Sequence, residues 1–403
     1  MYEPVVAVDA DWPAVRLGSV LQRVVEVGQC DLPLLSVSAQ RGVTLRGEDW
    51  GDGLRAASED LSGYLVVRPG DIVVNKLAAR DGAFGRSDHH GLTSPAYFVL
   101  RPVSGIEPRF VDYLLHAAPY LSEIRRRSKW MPPAQFDISW ELLRSMKIRI
   151  PDAETQNRVA DFLDRETQRI DDARASISHI RQLVEERQFA AIASEIETAT
   201  SESRRLSLIA RLGTGHTPDR TKPEYWEDCT IPWVTAADLS SRTKPFEPLM
   251  ETAQHVSELG VANSAAVVHP PGTVMLCRTA SVGLVCRIGV PMATTQAFVT
   301  WTPGPDLDSE YLMFCLFSMR QEWDRLKFGS THDTIYFPDI QSVTIPYCSP
   351  DQQRQVVSRV RKHLEAVKSL PTKLEALDEL LCERRRSLIT AAVTGQLEVE
   401  AVA

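Results

Sequence analysis

Two adjacent histidines, His89 and His90, stand in the stretch SDHHG from Ser87, and histidine is the side chain most ready to hold a metal. A site needs three or four converging donors, and the chain has no H-E-x-x-H pair to supply them. A polar, glycine-bounded pair of this kind reads as an exposed loop. GTGHTPDRT from Gly213 has two glycines but no following lysine to meet a phosphate, so it reads as a turn. MPPA from Met131 has the two prolines of the Asn-Pro-Pro-aromatic motif of amino-methyltransferases. It lacks both the amide that would bind an exocyclic amine and the aromatic that would stack on a flipped base. The seven cysteines are scattered, without a C-x-x-C pair, and read as free thiols of a reducing compartment. The residue types and spacings therefore predict no catalytic centre, no metal and no bound cofactor.

The elements that carry these residues are those of an ordinary globular chain. It has 403 residues, 43% apolar and 24% charged, enough for two or three domains. The longest tempting apolar run, YLMFCLFS from Tyr311, is far short of the roughly 18 residues that span a bilayer. The start, MYEPVVAVDADW, is acidic and lacks the basic and apolar segments of a signal peptide. The formal charge of -8 argues against nucleic acid only weakly, because phosphate contacts need local rather than net positive charge.

The chain repeats itself. Val159, Leu163, Ile170, Ile177, Ile180, Val184 and Ala191 fall, 197 positions on, upon Val356, Val360, Val367, Leu374, Leu377, Leu381 and Leu388. The steps of four, seven and three residues are those of a heptad seam, so two long amphipathic helices are predicted. Glu166, His363, Arg187 and Arg384 interrupt the register, and Pro371 should kink or break the second helix. With gaps, the repeat extends further. LPLLSV from Leu32 matches IPWVTA from Ile231, and RPGDIVVNK from Arg68 matches PPGTVMLCR from Pro270. SPAYFVLRP from Ser94 matches TQAFVTWTP from Thr295, and IRIP ending at Pro151 matches VTIP ending at Pro346. The β-branched runs after Pro and Gly read as buried strands. The loop contents differ between the copies, as in NKLAARDGAFGRSDHHG from Asn75 and CRTASVGLVCRIGV from Cys277.

Three stretches resemble the specificity (S) subunit of type I restriction-modification systems, the HsdS family. AETQNRVADFLDRETQRID from Ala153 resembles the start of its first conserved helix, and ERRRSLITAAVTGQLEV from Glu383 the end of its second. AQFDISWELLRSMKIRIP from Ala134 resembles the entry from a target recognition domain into a helix. The corresponding entry of the second copy, THDTIYFPDIQSVTIP from Thr331, departs from that pattern. The resemblance implies an α+β fold: two globular α/β target recognition domains separated by two long helices packing as an antiparallel coiled coil. The boundaries fall at 1–150, 151–198, 199–346 and 347–397. It also implies a non-catalytic cytoplasmic protein of a prokaryote that reads double-stranded DNA and docks two methyltransferase (M) subunits. Motor-nuclease (R) subunits would join the assembly, and no membrane is involved. S-adenosylmethionine would belong to the M subunit and ATP with magnesium to the R subunit.

DNA readout asks for Lys and Arg on phosphates, and for Arg, Lys, Asn, Gln and Ser/Thr on base edges. The candidates in the first copy are Arg41, Arg46, Lys76, Arg80, Arg86, Arg125, Lys129 and Gln135. In the second copy they are Thr235, Arg242, Lys244, Arg278, Thr279, Ser281, Lys327, Ser330 and His332. Lys76 and Arg278 stand at equivalent places, as do Lys129 and Lys327. A second reading is a coiled-coil interaction scaffold that does not read DNA. A third is a self-contained modification or restriction enzyme, against which the missing motifs argue.

Overall fold

The computed structural model describes residues 11–28, 31–47, 60–131, 135–199, 202–242, 244–328 and 333–399; of residues 131 and 135 only the backbone is described. It divides into two compact units, one of residues 1–177 with 375–403 and the other of residues 178–374. Both cuts fall at equivalent points of the repeat, because Ile177 and Leu374 are 197 positions apart. The contacts thus assign part of each long helix to each unit, whereas the division read from sequence follows the elements.

Each unit is built on the same antiparallel sheet. In the first unit the strand order is Leu21–Val24, Tyr97–Pro102, Ile72–Asn75, Phe84–Arg86. In the second it is Ala210–Thr214, Phe298–Pro303, Val274–Cys277, Val285–Arg287. A turn feeds the third strand of each sheet. Gly70 and Gly272 take φ of +91° and +85°, the left-handed position that follows Pro69 and Pro271 in a type II turn. These strands are covered on both faces, which accounts for their continuous apolar runs. Ile72 and Val74 pack beneath the helices, while Val73 and Val99 pack against Leu35, Val37 and Val43 on the opposite face. In the second unit Val274 and Leu276 go to the helical side, and Met275 and Cys277 to the other.

The long helices are part of these cores. Ala153–Ala199 is one helix of 47 residues. Its counterpart is broken, as the proline predicts, into Pro350–Val367 and Leu370–Val393, the second of which has Pro371 in its first turn. In the first unit Val159 and Leu163, near the start of one helix, share a core with Ile389 and Val393, near the end of the other. In the second unit the equivalent residues, Val356, Val360, Ile192 and Ile196, do the same. Each unit is therefore closed by the beginning of one helix and the end of the other, with the roles exchanged between the copies. Within the first unit the helices pair in opposite directions: Arg174 meets Asp378 at 2.8 Å, and Asp171 faces Arg385 at 3.7 Å. In the second unit Glu195 pairs with Arg359 at 2.6 Å and His363 at 3.2 Å, and the bond from Arg359 chiefly holds its carboxyl below the usual range.

The heptad reading needs one correction. Ile180 and Leu377, expected in the buried seam, are 40% and 46% exposed. A straight helix turns once in about 3.6 residues, so a seam read at 3.5 drifts round its surface. Leu183 and Leu380, one turn further on, are also exposed, at 47% and 60%.

A buried glutamine fixes each sheet unit to its long helix. Gln156 accepts the Glu107 N–H at 2.9 Å and donates to the Pro151 carbonyl at 2.9 Å. Gln353, again 197 positions on, accepts the Asp308 N–H at 2.8 Å and donates to the Cys348 and Asp306 carbonyls. Glu107 and Asp308 cap the helices Pro108–His116 and Ser309–Ser318, so the amide anchors the cap itself. Substitution of Gln156 by Leu fills the space but leaves two backbone groups unpaired. The expected loss is about 1–3 kcal/mol for each group, read by chemical denaturation. An unchanged midpoint would remove the amide from the account.

Candidate nucleic-acid interface

In the first unit the basic residues gather where a loop, a helix end and a hairpin meet. The loop follows the strand Ile72–Asn75 and closes through Gly82, whose φ of +90° ends the short turn Ala79–Asp81. The hairpin pairs Lys129–Met131 with Gln135–Asp137. It is tied to the loop where the Ile138 N–H donates to the Lys76 carbonyl at 3.3 Å. The Arg80 guanidinium lies 3.6 Å from the centroid of the Phe136 ring, and the Trp130 indole meets that ring edge to face at 5.0 Å. Arg125 donates to the Arg80 carbonyl at 2.8 Å. Lys76, Arg80, Arg125 and Lys129 thus meet at one corner, with Gln135 in the same hairpin. The neighbours of Arg125 in the chain act internally: Arg126 and Arg127 both bind Glu123, which lowers its pKa through the Arg126 bond first.

Arg41 and Arg46 lie apart from this corner, on the hairpin formed by Leu35–Ser38 and Gly42–Leu45. That hairpin rests on the strand bearing Arg86, where Gly85 meets Gly42 so closely that a Cβ would sit 3.3 Å from its Cα. Arg86 is paired with Asp88 at 2.6 Å.

The second unit repeats the corner with other side chains. The Ile335 N–H donates to the Arg278 carbonyl at 2.9 Å, and Ile335 lies 197 positions after Ile138. The Arg278 side chain donates to the Ile335 carbonyl at 3.2 Å and lies 4.9 Å over the Phe337 ring. Thr279 bridges to Thr334, and Ser281 follows Ala280, whose φ is +61°. Lys327 is paired with Asp324 at 2.7 Å and Asp333 at 3.6 Å. The bond from Asp324 is the main cause of its raised pKa. Ser330 and His332 lie outside the described residues.

Three further candidates do not join this group. Thr235 caps the helix Ala236–Ser240 through a capping box in which its hydroxyl donates to Asp238 at 2.7 Å. Arg242 donates to the Glu247 carbonyl at 2.6 Å and to the Cys286 sulfur. Lys244 is exposed. Among the described residues no group of three or more His, Cys, Asp or Glu could hold a metal, and no helix is long and apolar enough to cross a membrane.

The stretch RRRSKW from Arg125, expected to contact DNA, ends on an aromatic, Trp130, whose counterpart Phe328 the search for cations missed. Trp130 is 53% exposed and Phe328 74%. They occupy equivalent places, Trp130 in a strand paired with Phe136 and Phe328 in an isolated bridge to Thr334, and each follows a lysine. The 198-residue offset between Lys129 and Lys327 carries the signal that would have found Phe328.

Two copies of one α+β frame each carry an exposed aromatic beside basic residues, which in the second unit are half-buried or ion-paired. Residues 199–378 match the family described as the type I restriction modification DNA specificity domain. The chain is 26% identical over 183 residues to the type I restriction enzyme MjaIX specificity subunit of Methanocaldococcus jannaschii, a match covering 45% of this chain and 41% of that one. It is 25% identical over 151 residues to the EcoprrI specificity subunit of Escherichia coli, covering 36% of each. These matches therefore span well under half the length of either relative. A structure solved in work on complex assembly and conformational transition of the type I R-M system has the same fold. It shares 18% identity at a TM-score of 0.71, over 97% of this chain and all of that one. Residues 199–378 therefore carry a domain of the type I restriction-modification specificity family, and the whole chain shares the fold of the structure solved in that work.

Proposed function

We propose that this chain is the DNA sequence-specificity subunit of a type I restriction-modification complex. Each unit reads one half of a bipartite site, and the long helices space the units as an antiparallel coiled coil and dock two M subunits. The chain has no catalytic centre of its own and works in the cytoplasm of a prokaryote. S-adenosylmethionine is bound by the M subunit, and ATP with magnesium by R subunits that join the complex. The observation that carries this reading is the basic, aromatic corner repeated on one frame while the loops around it differ. Such a pattern suits two readers of unlike targets. Phosphate contacts come from Lys76, Arg80, Arg125 and Lys129 in the first unit, whereas the second offers Arg278, Thr279 and Ser281 beside an ion-paired Lys327.

Methylome sequencing of a host carrying the chain with its M partner tests the reading. A split, asymmetric motif is expected, and methylation without such a motif would overturn it. Exchange of residues 1–150 for those of a relative should then change one half of the motif only. If both halves changed, the units would not read independently. The scaffold reading predicts no salt-dependent binding to the motif duplex, whereas a protein neutralising several phosphates loses affinity steeply as salt rises.

A further inference from the structure

We infer that Trp130 and Phe328 are wedge residues, one in each unit, that insert between neighbouring base pairs and unstack them. This rests on the proposed reading of the chain as a DNA-specificity subunit. A single apolar side chain left in water is ordinary. Two large aromatics at equivalent places of a repeat, each beside the basic loop of its unit, are a recurring feature that single exposure does not explain. Trp130 is braced against Phe136, whose ring is itself covered by the Arg80 guanidinium. Phe328 exchanges two backbone hydrogen bonds of 3.0 Å with Thr334, which also bridges to Thr279. The backbone that carries each ring is thus fixed by pairing across its hairpin or bridge.

The surroundings favour DNA over protein as the occupant. Lys76, Arg80, Arg125 and Lys129 share the corner with Trp130, and Arg278 holds the equivalent loop beside Phe328. Cations that hold phosphates on either side of an apolar wedge are the usual means of kinking a duplex. The two rings differ in size while keeping their place, as expected of side chains that use the π-face common to all bases rather than a base edge.

The test uses the full chain with its M subunits, without S-adenosylmethionine. The motif duplex carries 2-aminopurine at single positions other than the methylated adenines, so that its fluorescence reports unstacking. The intact complex should raise the fluorescence several-fold at one step in each half-site. W130A should abolish the rise in the first half-site alone, and F328A in the second alone. Each variant should bind about tenfold more weakly with an unchanged motif and salt slope. W130F should keep most of the signal, which separates loss of the wedge from loss of the hairpin. If the intact complex binds and methylates its motif but W130A and F328A leave the fluorescence unchanged, the wedge is wrong and the specificity reading stands. If these variants instead lose M subunits in native mass spectrometry, the surface is a protein interface and the inference falls. If the intact complex shows no preference for any split motif, the specificity reading itself fails.

Discussion

Replacing Ile180 and Leu183 together by glutamate is expected to remove one M subunit from the complex and leave the other in place. Replacing Leu377 and Leu380 should remove the second. Each pair lies three residues apart on a helix, so its members share one face. Both pairs are exposed in the chain, and they are related by the same shift of 197 positions that relates the helices. A duplicated apolar patch is the surface that two identical partners need. Burying one such side chain contributes about 1.5–3 kcal/mol, so a pair contributes roughly 3–6 kcal/mol and its loss weakens docking by about a hundredfold or more. The glutamates add the cost of burying charge. Native mass spectrometry should show one M subunit per chain in place of two, with the thermal melt of the chain alone unchanged. Retention of both M subunits by either double variant would place docking elsewhere.

The duplication was legible in the sequence because it rests on what burial enforces. Strands covered on both faces must be continuously apolar, as at Ile72–Asn75 and Val274–Cys277, and a type II turn needs its glycine. The break near Pro371 was legible for the same reason, a missing backbone donor. What the sequence hid was direction. Arg125, Arg126 and Arg127 are identical in type and adjacent, yet only the first reaches the loop carrying Arg80. Thr235 and Arg242 have the chemistry of readers, but their side chains hold a cap and a loop of their own unit. Nothing local to Gln156 and Gln353 shows in the sequence that their amides meet helix caps. Ile180 and Leu377 were misplaced because a heptad fixes spacing along a helix and leaves open which partner covers each face.

Inserting one heptad into each long helix, after Ile177 and after Leu374, should lengthen the spacer of the methylated motif by about three base pairs. Both insertion points coincide with the boundaries of the compact units, so neither unit loses an internal contact. They are equivalent in the repeat, so the two helices are extended in step. Seven residues add about 10 Å at about 1.5 Å per residue, and roughly preserve the buried face. At about 3.4 Å per base pair this corresponds to about three pairs. The half-site sequences should stay as they were, because the corners carrying Lys129 and Lys327 are untouched. Affinity should fall, because three base pairs also turn one half-site about the duplex axis, and the DNA must twist or bend to present it. Insertion into one helix alone shifts its register against the other and should abolish assembly instead. Methylome sequencing of hosts carrying the original and doubly extended chains decides the matter. An active extended chain that keeps the original spacer would show that the M subunits, rather than the helices, set the distance.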